Sequence, residues 1–157
     1  MRQASEKALE QAKRGIADFG FFAIYDCFPV CFLKSLEDLG LCPVGKSGPW
    51  IQNKYEELVR LKGSGKSEEE IEREFVKVFP FNTHGGLMHF AAPWEAPAAF
   101  NIIEAVQQLR EECDKSYKQV KFPRDKTKIA LVTGNGGVFS SAGVLVIEKN
   151  HLNKSNL

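Results

Sequence analysis

The longest stretch of this chain without a charged residue covers residues 129–147, and its centre reads Thr133-Gly134-Asn135-Gly136-Gly137. A transmembrane helix needs about 20 such residues, so the length alone raises that question. Glycines at the midpoint of a run rich in β-branched residues break a helix and mark a turn between two strands. The stretch is therefore read as a closing β-hairpin, with strands over residues 129–133 and 143–147. No membrane span is expected.

The chain ahead of the hairpin alternates between helix and strand patterns. Residues 5–14 read as a short amphipathic helix, with Ala8, Leu9 and Ala12 on one face and Gly15 behind it. Residues 19–25 form an almost unbroken apolar and aromatic run of the length of a buried strand, ending at Asp26. Over residues 29–39, Val30, Phe32, Leu33, Leu36 and Leu39 recur at helical spacing, and Gly40 terminates the pattern. Two strongly charged helical segments follow, residues 54–62 and 67–78, with Ser67 and Glu70 placed as a capping box. This excursion, at about residues 44–80, is read as a solvated helical insertion, with a partner-binding hairpin as the alternative. A further helix starts near Pro97 with Ile102, Ala105, Val106 and Leu109 as its apolar stripe. Residues 115–128 read as a basic, exposed connection.

Strands separated by helices call for an α/β fold: a mixed, mostly parallel sheet covered by helices and closed by the hairpin. One domain over residues 1–150 and a polar tail over 151–157 account for the length. Hydrophobic residues make up 43% and charged residues 26%, which excludes wholesale disorder. A net charge of +1 leaves no electrostatic footprint for nucleic acid or an anionic membrane. Cys27, Cys31, Cys42 and Cys113 form no Cys-x-x-Cys pair, and with only three histidines no metal-ligand set emerges. Residues 1–20 are charged and helical, unlike a signal peptide, so a reduced, intracellular, cytoplasmic protein without a bound cofactor is expected.

Polar groups concentrate in three uncharged loops at expected strand ends: Tyr25-Asp26-Cys27-Phe28, residues 82–93, and residues 133–141. Ligands bind at such ends in open α/β sheets. Each loop also has a purely structural reading. Asp26 is placed to cap the helix that follows it, Cys27 to pack as a small hydrophobe, and His84 and His89 to be surface residues. The Gly85-Gly86 and Gly136-Gly137 pairs allow positive φ and close backbone approach, and their N–H groups suit an anion-binding nest or half of an oxyanion hole. Neither pair fits a phosphate-loop or dinucleotide fingerprint. His151, in the tail, has no functional reading.

Five blocks in order carry a resemblance: Ile24-Tyr25-Asp26-Cys27-Phe28, Leu36-Glu37-Asp38-Leu39-Gly40-Leu41-Cys42-Pro43, Asn82-Thr83-His84-Gly85-Gly86-Leu87, Ile103-Glu104-Ala105-Val106-Gln107-Gln108-Leu109-Arg110, and Gly134-Asn135-Gly136-Gly137-Val138-Phe139-Ser140-Ser141. Together they resemble the C-terminal half of the thiolase superfamily, nearest its sterol-carrier and lipid-transfer branch. The resemblance implies one of two similar βαβαβαββ halves, acyl transfer on coenzyme A thioesters, and dimers. A nucleophilic cysteine in the first half carries the acyl group. A Gly-His-Pro histidine activates it, and a cysteine in a Cys-x-Gly-Gly-Gly motif moves the α-proton.

This chain departs from that pattern. The first half and the half-domain's first strand are missing, so an exposed sheet edge is expected to pair with another chain, or the chain is a truncated gene product. Ala91-Ala92-Pro93 stands where Gly-His-Pro would, and Thr133 stands near the place of the proton-transferring cysteine. Tyr25 occupies an Asn or His position, as in steroid side-chain retro-aldolases, where tyrosine phenols serve as acid–base groups. The candidate catalytic residues are Tyr25 and His84. Asp26, Asn82, Gly85, Gly86, Asn135, Gly136 and Gly137 are the candidate substrate or oxyanion pocket. The implied partner is an N-terminal thiolase half, a second thiolase-like chain or another copy. Without one, the expectation is an incomplete, inactive acyltransferase domain, and a non-catalytic lipid- or acyl-CoA-binding module is the alternative. Ser155-Asn156-Leu157 resembles the Ser-Lys-Leu peroxisomal address with Asn for its basic middle residue, and stands as the alternative to a simple polar tail.

Overall fold

A computed structural model describes residues 1–93, 96–113, 115–122, 128–137 and 140–149. His151, Val138-Phe139 and the Ser155-Asn156-Leu157 tail lie outside the described residues. Among the described residues the helices are α1 (Arg2–Ala12), α2 (Pro29–Asp38), α3 (Ser47–Lys62), α4 (Glu68–Val78), α5 (Gly86–His89) and α6 (Pro97–Arg110). The strands are β1 (Phe21–Ala23), β2 (Ile129–Gly136) and β3 (Ser141–Glu148). They form one mixed sheet in the order β1-β2-β3. β1 runs parallel to β2, with Phe21 opposite Ala130 and Ala23 opposite Val132. β2 and β3 are antiparallel, from Ile129 opposite Glu148 to Gly136 opposite Ser141. On the other side of β1, Phe81 adds an isolated parallel bridge to Phe22.

Alternation along β1 and β2 divides the core into two layers. Phe22, Ile24, Ile129 and Leu131 point to the face covered by α1 and α2, where they meet Leu9, Leu36 and Leu39. Phe21, Ala23, Ala130 and Val132 point to the opposite face, where α6 brings Ala105 and Leu109. Strands buried on both faces read as continuous apolar runs, which is why residues 19–25 show no alternation. The strand itself is shorter than that run. The main chain of Ile24 is taken by the side chain of Asn82, and the N–H of Tyr25 by Thr133, so side chains replace the ladder beyond Ala23.

Several boundaries shift for identifiable reasons. α3 begins at Ser47, earlier than residue 54, because the Glu37 carboxylate accepts from the Ser47 N–H at 3.2 Å and its hydroxyl at 2.7 Å. Those bonds, the hydroxyl first, hold the Glu37 carboxyl below the usual carboxylate range. The capping box forms as expected, the Ser67 N–H reaching Glu70 at 2.9 Å and the Glu70 N–H reaching Ser67 Oγ at 3.4 Å. The hairpin α3–α4 is not wholly solvated. Trp50 and Ile51 pack on one core layer and Val76 belongs to the other, so the pair straddles the sheet edge at Phe81. The connection over 115–128 is likewise not simply exposed: Val120 and Phe122 are buried in the α6-side layer. A β-carbon on Gly20 would lie 2.7 Å from the Phe122 ring. β1 and β2 pair without an intervening strand, the Gly20 N–H donating to the Ile129 carbonyl at 3.1 Å.

Candidate functional site

Because β1 and β2 are parallel and Phe81 pairs in the same sense, the segments after them end at one edge of the sheet. Three polar side chains stitch those segments together. Asn82, itself at φ +42°, receives the Ile24 N–H at 2.7 Å and donates to the Ile24 carbonyl at 2.9 Å. Thr133 Oγ1 accepts from the Tyr25 N–H at 2.9 Å. Asp26, only 4% exposed, accepts from the Leu87 N–H at 2.7 Å. Asp26 thus caps α5, not the following α2, which starts from Phe28 with Pro29 in its first turn and no side-chain cap. Gly86 sits at φ +68°, and a β-carbon there would fall 2.1 Å from Asp26 Oδ2. Only glycine fits.

Within this frame lies His84. Its Nδ1 is buried without a hydrogen-bond partner among the described residues, as are both amide atoms of the fully buried Asn101. The Phe90 ring stands 5.4 Å from the imidazole. Burial lowers the His84 pKa. The carboxylates of Glu104 and Asp26 oppose that shift, as does the nearby Asn101 amide, which faces the ring without closing a bond of normal geometry. The ring is held neutral, with one nitrogen free to accept or donate a proton.

Asn101 and Glu104 are functional candidates the sequence patterning missed. The α6 face turned inward is Asn101, Glu104, Ala105, Gln108 and Leu109, whereas Ile102, assigned to the apolar stripe, is 39% exposed. The polar members form a network. The Thr83 hydroxyl donates to Glu104, and Gln108 Nε2 reaches Thr83 Oγ1 at 2.8 Å and Glu104 Oε1 at 3.1 Å. The Val120 N–H returns a bond to Gln108 Oε1 at 2.7 Å. The available signal was three polar residues recurring at helical spacing beside Ala105 and Leu109.

Tyr25 is half-buried at the same edge. Burial, and then the nearby Cys27, Asp26 and Cys31, raise its phenol pKa, so it keeps its proton at neutral pH and suits an acid better than a base. The glycine loops contribute less backbone than expected. The Gly85 N–H is committed to the Asn82 carbonyl at 2.7 Å. Asn135 and Gly136 lie in the β2–β3 ladder, leaving Gly137, at φ +56°, in the turn. Among the described residues no hydrogen bond links these three to the other two loops. At the place corresponding to Gly-His-Pro, Ala92 is exposed. A cavity of about 660 Å³ between α3–α4 and the 82–85 loop is lined by Leu58, Phe75, Phe79, Asn82, Thr83 and Gly85, among others. Among the described residues no three His, Cys, Asp or Glu side chains gather as a metal site requires, and no helix is long and apolar enough to cross a membrane.

Comparison with known proteins gives this geometry a setting. The family described as "Thiolase C-terminal domain-like" matches residues 1–64 and 61–149, two segments that meet between α3 and α4. The acetyl-CoA acetyltransferase of Methanothermobacter thermautotrophicus is 25% identical over 146 residues, or 93% of this chain. The chain spans 32% of the length of that relative.

Proposed function

Because the chain belongs to the thiolase C-terminal domain-like family, we propose that it serves as the acyl-handling half of a thiolase-like acyltransferase acting on coenzyme A thioesters. A second polypeptide segment, either an N-terminal thiolase half or another thiolase-like chain, supplies the nucleophile. The observation that carries this reading is the convergence of three loops on one sheet edge around a neutral, half-buried imidazole with an unpartnered nitrogen. His84 exchanges a proton with the substrate there, and the Tyr25 phenol donates one to oxygen as charge develops. Asp26 and Asn82 act on the frame, since their polar atoms are engaged with Leu87 and Ile24.

The test is thiolysis of acetoacetyl-CoA by free coenzyme A, with the purified chain alone and mixed with an N-terminal thiolase half. Turnover is expected only in the mixture and is expected to fall at least a hundredfold with His84→Gln. Absence of turnover in the mixture overturns the reading for that substrate.

A second reading, a thiolase-fold module that binds acyl-CoA or lipid without chemistry, is favoured by Ala92 in place of the histidine. It expects acyl-CoA binding with no turnover under any pairing. A retro-aldolase of the sterol-carrier branch built on Tyr25 requires the phenol to act as an acid, given its raised pKa. Loss of β-hydroxyacyl-CoA cleavage in Tyr25→Phe would support it.

A further inference from the structure

Cys27 and Cys31 lie with their sulfurs 3.5 Å apart, across the start of α2. The Phe28 carbonyl accepts from the Cys31 N–H at 2.9 Å and from the Phe32 N–H at 3.3 Å, closing the first turn of α2 with Cys27 immediately ahead of its N-cap. Cys31 is 1% exposed, while Cys27 is half-buried and reached by solvent. A disulfide needs its sulfurs at about 2.05 Å, a closure within reach of side-chain rotation. Cys42 is buried and has no sulfur within hydrogen-bonding reach among the described residues.

We propose that Cys27 and Cys31 form a reversible oxidation site, closing as an intramolecular disulfide under hydroperoxides and tying the Tyr25–Asp26 segment to α2. The Cys27 sulfur attacks the outer peroxide oxygen and the O–O bond breaks. Cys27 becomes a sulfenic acid, and the alcohol, or water for hydrogen peroxide, leaves with the thiol proton. The Cys31 sulfur then attacks Cys27, the S–O bond breaks, and water departs with the second proton. Two thiols are oxidised and one peroxide is reduced. Burial raises the Cys31 thiol pKa, so Cys31 is the resolving partner and the solvent-reached Cys27 is the first to react. So short a loop gives little entropic stabilisation, which makes the bond easy to reduce again. The inference is independent of acyl transfer.

The full chain treated with stoichiometric hydrogen peroxide is expected to lose two hydrogens in intact mass and two maleimide-reactive thiols, both restored by dithiothreitol. Tandem mass spectrometry should place the link between Cys27 and Cys31. Cys31→Ser should leave a dimedone-reactive sulfenic acid at Cys27. Cys27→Ser, at the more exposed and less disruptive position, should leave Cys31 reduced. Labelling of Cys27 is expected to be about tenfold faster than that of Cys42. A link through Cys42 or Cys113, an intermolecular dimer, or the same mass loss in Cys27→Ser would overturn the proposal.

Discussion

The two sides of the candidate site spend their polar atoms in opposite ways. On the sheet side, Asp26, Asn82 and Thr133 bond to the main chain of Leu87, Ile24 and Tyr25. On the α6 side, Asn101 is fully buried and His84 half-buried, yet three of their polar atoms are shielded without a partner among the described residues. Burying an unpaired polar group costs about 1–3 kcal/mol, so the second arrangement lowers stability where the first raises it. The contrast separates residues that build the site from residues with bonding capacity left for a ligand.

Substitutions can break that contrast, beginning with its frame. Gly86→Ala combines a positive φ with a β-carbon placed against the Asp26 carboxylate. It is expected to cost about 3–4 kcal/mol in chemical denaturation, with a near-wild-type midpoint as the contrary result. Asn82→Ala strands the N–H and carbonyl of the buried Ile24, and about 2–3 kcal/mol should be lost by the same measurement.

On the other side, His84→Gln should change stability at neutral pH by only about 1 kcal/mol while lowering turnover in the reconstituted mixture at least about a hundredfold. It should also change the pH profile. The folded-state pKa of His84 lies below its ordinary 6.5, so the unfolded chain takes up the proton first. The stability from that difference is complete above pH 6.5 and is lost as pH falls through 6.5 toward the folded value. Identical wild-type and His84→Gln slopes would show that the fold does not hold the ring neutral. The smallest effect belongs to Gly134→Ala, where a β-carbon meets nothing within 4 Å; a change within about 0.5 kcal/mol is expected in thermal melts.

Sequence patterning located the layers better than the site. The apolar run at 19–25 and the helical period at 29–39 each follow from nearest-neighbour chemistry and each became an element, whereas the break expected after Thr133 falls later, because β2 stays paired with β3 through Gly136. His84 was visible because it stands between Asn82 and a glycine pair. Its setting was hidden, because Asn101 and Glu104 sit on α6 and a one-dimensional pattern assigns polar residues to the outside. Asp26 shows the same limit. A carboxylate just before a helix is a natural cap for it, and only the tertiary fold brings Leu87 closer than the first turn of α2. The end of β1 was also illegible, since it depends on Asn82 replacing a strand partner.

The three bonds that frame the site join residues 58, 61 and 108 positions apart in the chain. Contacts of that span pay their loop-closure entropy before they return any energy, so they form late. During synthesis, Tyr25 and Asn82 exist well before Thr133 does, and the pocket edge stays open until β2 slides in beside β1. An environment-sensitive probe at His84 would therefore report completion of folding, and an interrupted chain would carry every residue of the first and third sequence blocks without the site they compose.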